Sequence, residues 1–389
     1  MLTLTIDDSK KTRAAVKLPQ KSKSPTRAEV KNFTKAAAAG DVAAVQRMVE
    51  QFPELTTHWE PLHEAAFEGH VAVVQALLDA GTDANAVSTN QHLHRPLHRV
   101  IEPKKPVVKT AQHLEVVRIL LENGADVNTR GSGYGVTAIA LAAMGHTAEF
   151  LPILMPYLDR WDIYTAAILG QTRQVTTILK RDPTAATTPD INNLTPLHYV
   201  AASRLGSDDP VASERLKRVA EALIDAGADV NAPAPIGFYE ALPPIHFAAG
   251  NKSVLQVLVL RGADPSAALS PALWNADYEI AETLVHTGAS LKTRQIGEWV
   301  SDFLRWGHYP QAKWLIERGA DVNGRTADGR TALHWAVQRG ASTDLIRYLF
   351  DHGADVTLHD AEGSTALSLA IAKDRSSLIR LLQKHGATE

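Results

Sequence analysis

The chain has 389 residues, of which 45% are hydrophobic, with 40 Lys or Arg residues against 43 Asp or Glu residues. The net charge of -3 gives no overall attraction to nucleic acid, and the absence of Cys excludes disulfides and thiolate metal sites. No segment approaches the ~18–20 apolar residues of a membrane span, and residues 1–8 lack the basic start and apolar run of a secretory signal. We therefore expect a cytoplasmic protein with an ample apolar core and neither a nucleic-acid nor a membrane partner.

Residues 1–30 differ in composition from the rest of the chain. They contain seven Lys or Arg residues against three Asp or Glu residues, together with Pro19, Pro25 and several Ser residues. Because this segment has too few apolar residues to form a core, we expect a disordered tail, and the simplest interpretation is a solvated one. The alternative is a basic arm that binds an acidic partner or acts as an address signal.

A unit of two short helices follows the tail and is clearest at residues 328–355. Asp328-Gly329 is a turn signal, Thr331 is a good helix N-cap, and Gly340 ends the first predicted helix. Apolar residues at helical spacing continue through 345–350 as a second helix, which Gly353 stops. Helices this short are unstable alone, so the unit must bury its apolar faces against copies of itself.

The copies recur about every 33 residues, indexed on the position of Leu333. The equivalents are Phe33, Leu62, Leu97, Ile139, Ile163, Leu197, Ile245, Leu273, Val300, Leu333 and Leu367. Pro-Leu-His stands at 61–63, 96–98 and 196–198, and Gly-Ala-Asp-Val-Asn at 124–128, 227–231 and 319–323. These motifs resemble the ankyrin repeat family over residues 32–387. The resemblance implies an all-α ankyrin-repeat solenoid of about eleven repeats with β-hairpin-like fingers, in one array over 31–389, and usually a role in binding other proteins.

Several repeats depart from the pattern. Extra residues at 102–112 and 204–214 are predicted to join the first helix of a repeat to its second, and 232–244 predicts a long finger. The interval from Ile139 to Ile163 is short, and Pro152 and Pro156 fall where a second helix should run. We therefore expect an irregular joint near 150–162. Repeat eight, from residue 270, lacks the Gly that ends its first helix.

The His residues favour architecture over chemistry. Five of them occupy the third position of the Pro-Leu-His motif or its variants, where the resemblance implies a ring that braces successive fingers by hydrogen bonds: His63, His98, His198, His246 and His334. His92 and His94 share a finger with His98, and three imidazoles could bind zinc. No carboxylate or Cys is placed beside them in the sequence, so we expect no metal site and no cofactor.

Most of the predicted partner-binding residues lie at the ends of first helices. Trp306 stands immediately before Gly307, a position that the resemblance places in the concave groove, and Arg305, Gln338 and Arg339 hold equivalent positions. Trp and Arg often dominate protein interfaces. The rest of the predicted set is Arg330, Trp335, Phe67 and Glu68. The alternative is that Trp residues fill gaps left by the degenerate repeats eight and nine. Trp314, among apolar residues of a second helix, is predicted to be core.

These observations predict a monomeric, non-catalytic scaffold that binds another protein through its groove and fingers. Arg beside Trp suits a partner segment that is both acidic and apolar. The sequence contains no catalytic triad, acidic pair or cofactor fingerprint. The first alternative is an enzyme on an ankyrin scaffold, with a site in the His-rich finger or at 264–306. The second is an adaptor that uses the basic N-terminal arm.

Overall fold

The computed structural model describes residues 24–89, 93–102, 110–131, 135–145, 147–236 and 239–388. Within these ranges the helices form eleven consecutive pairs, one for each predicted repeat, and the predicted all-α class is confirmed. The helices are α1 (Arg27–Ala38), α2 (Val42–Gln51), α3 (Glu60–Glu68), α4 (Val71–Asp79), α5 (Pro96–Ile101), α6 (Ala111–Glu122), α7 (Ala138–Met144), α8 (Leu151–Leu154), α9 (Ile163–Ile168), α10 (Thr172–Arg181), α11 (Pro196–Ala202), α12 (Pro210–Asp225), α13 (Pro244–Phe247), α14 (Lys252–Leu260), α15 (Leu269–Trp274), α16 (Tyr278–His286), α17 (Arg294–Trp306), α18 (Tyr309–Glu317), α19 (Ala332–Arg339), α20 (Thr343–Asp351), α21 (Ala366–Ala372) and α22 (Ser376–Lys384).

Two fingers contain short antiparallel strands. β1 (Arg130–Gly131) pairs with β2 (Val136–Thr137), and β3 (Ala234–Ile236) pairs with β4 (Tyr239–Leu242). Residues 132–134 of the Gly-rich stretch between β1 and β2, and the tip of the second hairpin at 237–238, lie outside the described residues. In the finger before repeat eleven, an isolated antiparallel bridge joins His359 and Thr365.

Repeat ten shows why the sequence forms these pairs. Thr331 is the N-cap of α19, and its backbone N–H donates to Nδ1 of His334 at 3.3 Å. Gly340 ends the helix in the left-handed region with φ 69°, which a residue without Cβ adopts at little cost. Leu333 is buried, worth about 1.5–3 kcal/mol of hydrophobic stabilisation. α19 packs against α17 and α21, so each first helix is covered by its neighbours.

The chain forms two compact units. The first unit contains Met1–Ala142 and Glu149–Asp159, and the second contains Ala143–Ala148 and Arg160–Glu389. In the first unit, α1 packs against α3 and α3 against α5, while α2 packs against α4 and α4 against α6. In the second unit, first helices pack consecutively from α9 to α15 and from α17 to α21, and Trp274 of α15 contacts Phe303 of α17. Each unit therefore has a core made by the apolar faces of its own repeats.

Two boundaries differ from the sequence prediction. α1 begins at Arg27, within the predicted 1–30 tail, because Thr26 and Glu29 form a reciprocal cap that starts the helix early. Residues 1–23 lie outside the described residues. In the 204–214 insert, residues from Pro210 onward belong to α12 rather than to a linker. Asp209 caps this helix by accepting from the N–H of Val211 at 2.8 Å, and Pro210 is well placed in the first turn.

The predicted joint consists of three short helical segments: the 3-10 turns Ala148–Phe150 and Met155–Tyr157 flank α8. Pro152 and Pro156 each stand in the first turn of a segment, where a missing N–H costs no internal hydrogen bond. Each Pro therefore starts a new segment instead of interrupting one long helix. Phe150 and Leu154 are buried and anchor the stretch.

We expect backbone amides at 150–158 to exchange hydrogen faster than those of α6 or α10. Short 3-10 and α segments have few i to i−4 hydrogen bonds, so their local opening costs less free energy than that of a full helix. Hydrogen exchange followed by mass spectrometry at neutral pH measures this difference. Protection at 150–158 equal to that of α6 would contradict the expectation.

Repeat eight ends its first helix without Gly, as the sequence predicts. Ala276 takes the left-handed position with φ 55°, equivalent to Gly307 in repeat nine with φ 81°. An L-residue with a Cβ is disfavoured there by about 1–2 kcal/mol. The degenerate sequence of this repeat therefore carries a local backbone strain.

Ala276→Gly should relieve this strain and raise the free energy of unfolding by about 0.5–1 kcal/mol, after the greater chain entropy of Gly when unfolded is subtracted. Gly307→Ala is the matched control. A Cβ at Gly307 would meet no atom within 4 Å, so this variant should lose stability through the backbone alone. Chemical denaturation measures both. A loss of stability on Ala276→Gly would show that the strain is not present.

Candidate functional site

Four of the motif His residues bridge each repeat to the following finger. The Nε2 atom lies 2.9 Å from the Ala86 carbonyl in His63 and 3.0 Å from the Val136 carbonyl in His98. It lies 3.1 Å from the Leu242 carbonyl in His198 and 3.0 Å from the Ser364 carbonyl in His334. His246 makes a similar contact through Nδ1, 3.0 Å from the Ala267 carbonyl. The predicted bracing role is therefore confirmed for all five.

These contacts fix the protonation state of the rings. A carbonyl oxygen only accepts, so the ring nitrogen that faces it must carry the proton: Nδ1 in His246 and Nε2 in the other four. In His198 the Nδ1 atom accepts from the N–H of Thr195 at 3.1 Å, which completes a neutral ring. Burial lowers the pKa of His63, His98 and His198 to about 4, with only partial compensation from the carbonyl contacts. We call these five residues the ladder of bracing His residues. Their burial favours the neutral form of the imidazole ring.

The three candidate zinc ligands in the sequence are His92, His94 and His98. His98 is committed to its finger contact, and His94 lies 3.3 Å from a carboxylate oxygen of Glu102, measured from Nε2. His92 lies outside the described residues. Among the residues that the structure describes, no group of three His, Asp or Glu side chains is arranged to hold a metal ion. The expected absence of a metal site stays a prediction.

The predicted groove residues of repeats nine and ten form a cluster around Arg305. Its guanidinium lies 5.4 Å from the Trp306 ring centroid and 5.0 Å from that of Trp335, so it contacts both indoles. Trp306, the last residue of α17, is 58% exposed. The Nε of Arg339 donates to the Arg305 carbonyl at 2.6 Å, and Gln338 beside it is half-buried. The structure thus brings these groove residues together.

Trp335 and Arg330 lie beneath this surface. Trp335 is buried and its Nε1–H donates to the Thr326 hydroxyl at 3.3 Å. The Arg330 guanidinium lies 5.1 Å from its ring centroid and 3.0 Å from a carboxylate oxygen of buried Asp360. Because Arg330 is already neutralised within the protein, it supports Trp335 more than it attracts a partner.

The pKa values of two carboxyl groups in this cluster shift in opposite directions. Burial raises the pKa of Asp302, opposed by Arg305, while Glu298 and Asp328 raise it further. For Asp360, burial acts to raise the pKa, but hydrogen bonds from Ser364 N–H and Arg330 outweigh it and hold the pKa below its ordinary value. Asp302 therefore offers Arg305 a weaker counter-charge than Asp360 offers Arg330, at 3.9 Å rather than 3.0 Å.

Comparison with known families agrees with the repeat geometry. Sequence models of the ankyrin repeat match residues 58–89 and 192–234, and models of ankyrin repeats in several copies match 107–154 and 303–388. These matches together cover more than half of the chain. The chain belongs to the ankyrin repeat family. Comparison with curated proteins gives no match. Ankyrin repeats are generally protein–protein interaction modules, and the predicted ankyrin solenoid is confirmed.

The ankyrin repeats of the first unit hold the other predicted groove residues, Phe67 and Glu68. Phe67 is 7% exposed and lies under the Arg99 guanidinium, 4.0 Å from its ring centroid. Its carbonyl lies 3.0 Å from Nε2 of His113, which bridges to the next repeat. Glu68 is exposed. Phe67 is therefore mainly a packing residue, and only Glu68 is openly available to a partner.

One further exposed aromatic residue lies at the end of a first helix, and the sequence analysis did not select it. Trp274, at the end of α15, is 43% exposed and packs its ring 4.9 Å from Phe303 and 4.8 Å from His308, measured between centroids. It stands two residues before Ala276, as Arg305 stands two residues before Gly307. Without a Gly to mark the helix end, this equivalence was hidden in the sequence.

No helix in the described parts of this ankyrin repeat protein has the length and apolar character needed to cross a membrane.

Proposed function

We propose that this ankyrin repeat protein binds a segment of another protein at the helix-end surface of repeats nine and ten, formed by Arg305, Trp306, Gln338 and Arg339, and has no catalysis of its own. The observation that carries the proposal is Trp306. A large indole left 58% exposed, yet held by a guanidinium at 5.4 Å, is a prepared contact residue rather than core packing. Family membership supports the same role, because ankyrin repeats generally bind proteins.

The charge of this surface favours an acidic, partly apolar segment. Arg339 is exposed, and among the described residues its side chain donates a hydrogen bond to the Arg305 carbonyl and forms no ion pair. Arg305 has one carboxylate neighbour, Asp302, at 3.9 Å. A partner carboxylate could therefore bind either guanidinium without first breaking a close ion pair, while an apolar side chain covers Trp306.

The proposal is tested by capturing proteins from native lysate with three immobilised baits: wild type, Trp306→Ala and Leu260→Ala. Leu260, at the end of α14, is 83% exposed and provides an apolar control, more exposed than Trp306, on a second helix. Quantitative mass spectrometry should find at least one protein held by wild type and Leu260→Ala and lost from Trp306→Ala. Equal capture by all three baits would contradict the proposal.

A monomeric state and a cytoplasmic location stay predictions from the sequence. The basic N-terminal arm lies almost entirely outside the described residues, so the adaptor alternative also stays open.

A further inference from the structure

In the second unit, two Arg guanidinium groups lie directly against Gly residues at the ends of first helices. A Cβ built on Gly250 would lie 1.4 Å from a terminal nitrogen of Arg204, and one built on Gly340 would lie 2.8 Å from a terminal nitrogen of Arg375. Each guanidinium therefore occupies space that only Gly leaves open. Gly340 holds the same place in repeat ten as Gly307 in repeat nine, directly after the groove residues.

Among the described residues, neither guanidinium has a paired carboxylate. Within the described ranges, no hydrogen bond or ion pair joins Arg204 or Arg375 to a carboxylate through its side chain. Burial lowers the pKa of Arg204, and no neighbouring acid opposes that shift. Arg204 is half-buried, and a partly desolvated charge without a partner is costly, so an incoming anion would gain more there than at a solvated Arg. Arg375 is exposed and adds a solvated positive charge at the other end.

The two guanidinium groups lie at the ends of one continuous row of side chains along the second unit. The Arg204 guanidinium lies against Gly250 in the turn Ala248–Gly250, and this turn packs against α15. Trp274 at the end of α15 contacts His308 in repeat nine. Arg339 of repeat ten donates to the Arg305 carbonyl of repeat nine. The row therefore runs from a cation at repeat seven, through exposed indoles at repeats eight and nine, to cations at repeat ten.

From this order we infer that the row binds an extended acidic peptide segment with acidic side chains at both ends and apolar side chains between them. The inference rests on the proposed function and adds Arg204, Trp274 and Arg375 to its surface. Neighbouring helices pack about 8–10 Å apart, so the three steps from repeat seven to repeat ten span about 30 Å. An extended chain covers about 3.3 Å per residue, which gives a segment of about ten residues.

The spacing also sets the pattern within the segment. One repeat corresponds to about three extended residues. A carboxylate at Arg204 therefore places the two apolar side chains about three and six residues further along, over Trp274 and Trp306. The second carboxylate then falls about nine residues from the first, between Arg339 and Arg375.

The test selects a phage-displayed library of random ten-residue peptides on the full chain at low salt. The expected pool has Asp or Glu near both ends and Leu, Ile, Phe or Trp between them. Selection on Arg204→Met should remove the acidic preference at one end only, and selection on Arg375→Met at the other. A representative peptide should lose about tenfold in affinity with each variant, equivalent to one charge-assisted contact.

Gly250→Ala provides an independent variant, because its Cβ displaces the Arg204 guanidinium and should reproduce the Arg204→Met result. Arg347→Met is the control: Arg347 is an exposed side chain on α20 paired with Asp344, and its loss should change nothing. Circular dichroism melts confirm that every variant is folded.

The outcomes separate this inference from the proposed function. If selected peptides depend on Trp306 but show no acidic preference that Arg204 or Arg375 controls, the inference fails and the proposed function stands. If no peptide is enriched, or none depends on Trp306, both fail. Tight binding of labelled single-stranded DNA that Arg204→Met abolishes, without peptide enrichment, would replace the acidic peptide with a nucleic acid and overturn the inference.

Discussion

Trp314→Ala is expected to lower the free energy of unfolding by about 3–5 kcal/mol and to leave partner binding by the folded fraction unchanged. Trp314 is 7% exposed within α18, and the Arg318 guanidinium lies 4.1 Å from its ring centroid. The Tyr278 ring of the preceding repeat lies 6.4 Å away. Truncation removes this packing between two repeats and leaves a cavity that the short helices cannot close.

Trp306→Ala should have the opposite effect to Trp314→Ala: it should weaken partner binding and change stability little. Its ring is 58% exposed, so the loss of stability should stay below about 1 kcal/mol, while partner binding should weaken by about 2 kcal/mol or more. Denaturant titrations and partner affinity, measured on both variants, separate the two roles. If Trp306→Ala unfolds much earlier than wild type and its folded fraction binds normally, Trp306 is a packing residue and the groove at these repeats is not the binding surface.

Acidification below neutral pH should destabilise the protein before its carboxylates titrate. The pKa of His63, His98 and His198 is about 4 in the folded state against 6.5 when exposed. Between these values the unfolded chain binds more protons, so stability falls as the pH decreases from about 6.5 toward about 4. Each such ring contributes about 1.4 kcal/mol per pH unit in that window, so three together should unfold part of the array.

Denaturant titrations at pH 7.5, 6.0 and 5.0 measure this slope. His198→Gln is the informative variant, because Gln keeps an N–H donor near the Leu242 carbonyl but does not titrate. It should be less stable than wild type at pH 7.5 and lose less stability than wild type on acidification. An identical pH dependence in the two proteins would rule out His198 as a source of the effect. NMR titration of the ring protons gives the individual midpoints.

Much of the fold follows from the sequence because the repeat exposes it many times over. One helix pair is an ambiguous signal, but eleven apolar index residues with a mean spacing of about 33 residues define the period, and every one lies in a first helix. The bracing His residues were found for the same reason. Where the repeat degenerates, at Ala276 and at 204–214, the pattern predicts the structure less well, and Pro210 begins a helix rather than extending a linker.

The candidate site was only partly predictable, because its character depends on contacts between repeats. The positions of Trp306 and Arg339 before a helix-ending Gly identify them as surface residues. Nothing local shows that Arg330 is neutralised by Asp360, thirty residues later, or that Trp335 is buried. Arg204 on Gly250 is likewise a contact between two repeats that no single motif encodes.

The ladder of bracing His residues has a mechanical consequence. In the second unit, His198, His246 and His334 each hold only the finger that follows, so no bond in the ladder reaches beyond the adjacent repeat. A force applied to the C-terminus would therefore load these bonds one after another rather than all together. The last repeats should peel away at low force in small steps, so that the unit yields gradually under tension and re-forms repeat by repeat when the tension is released.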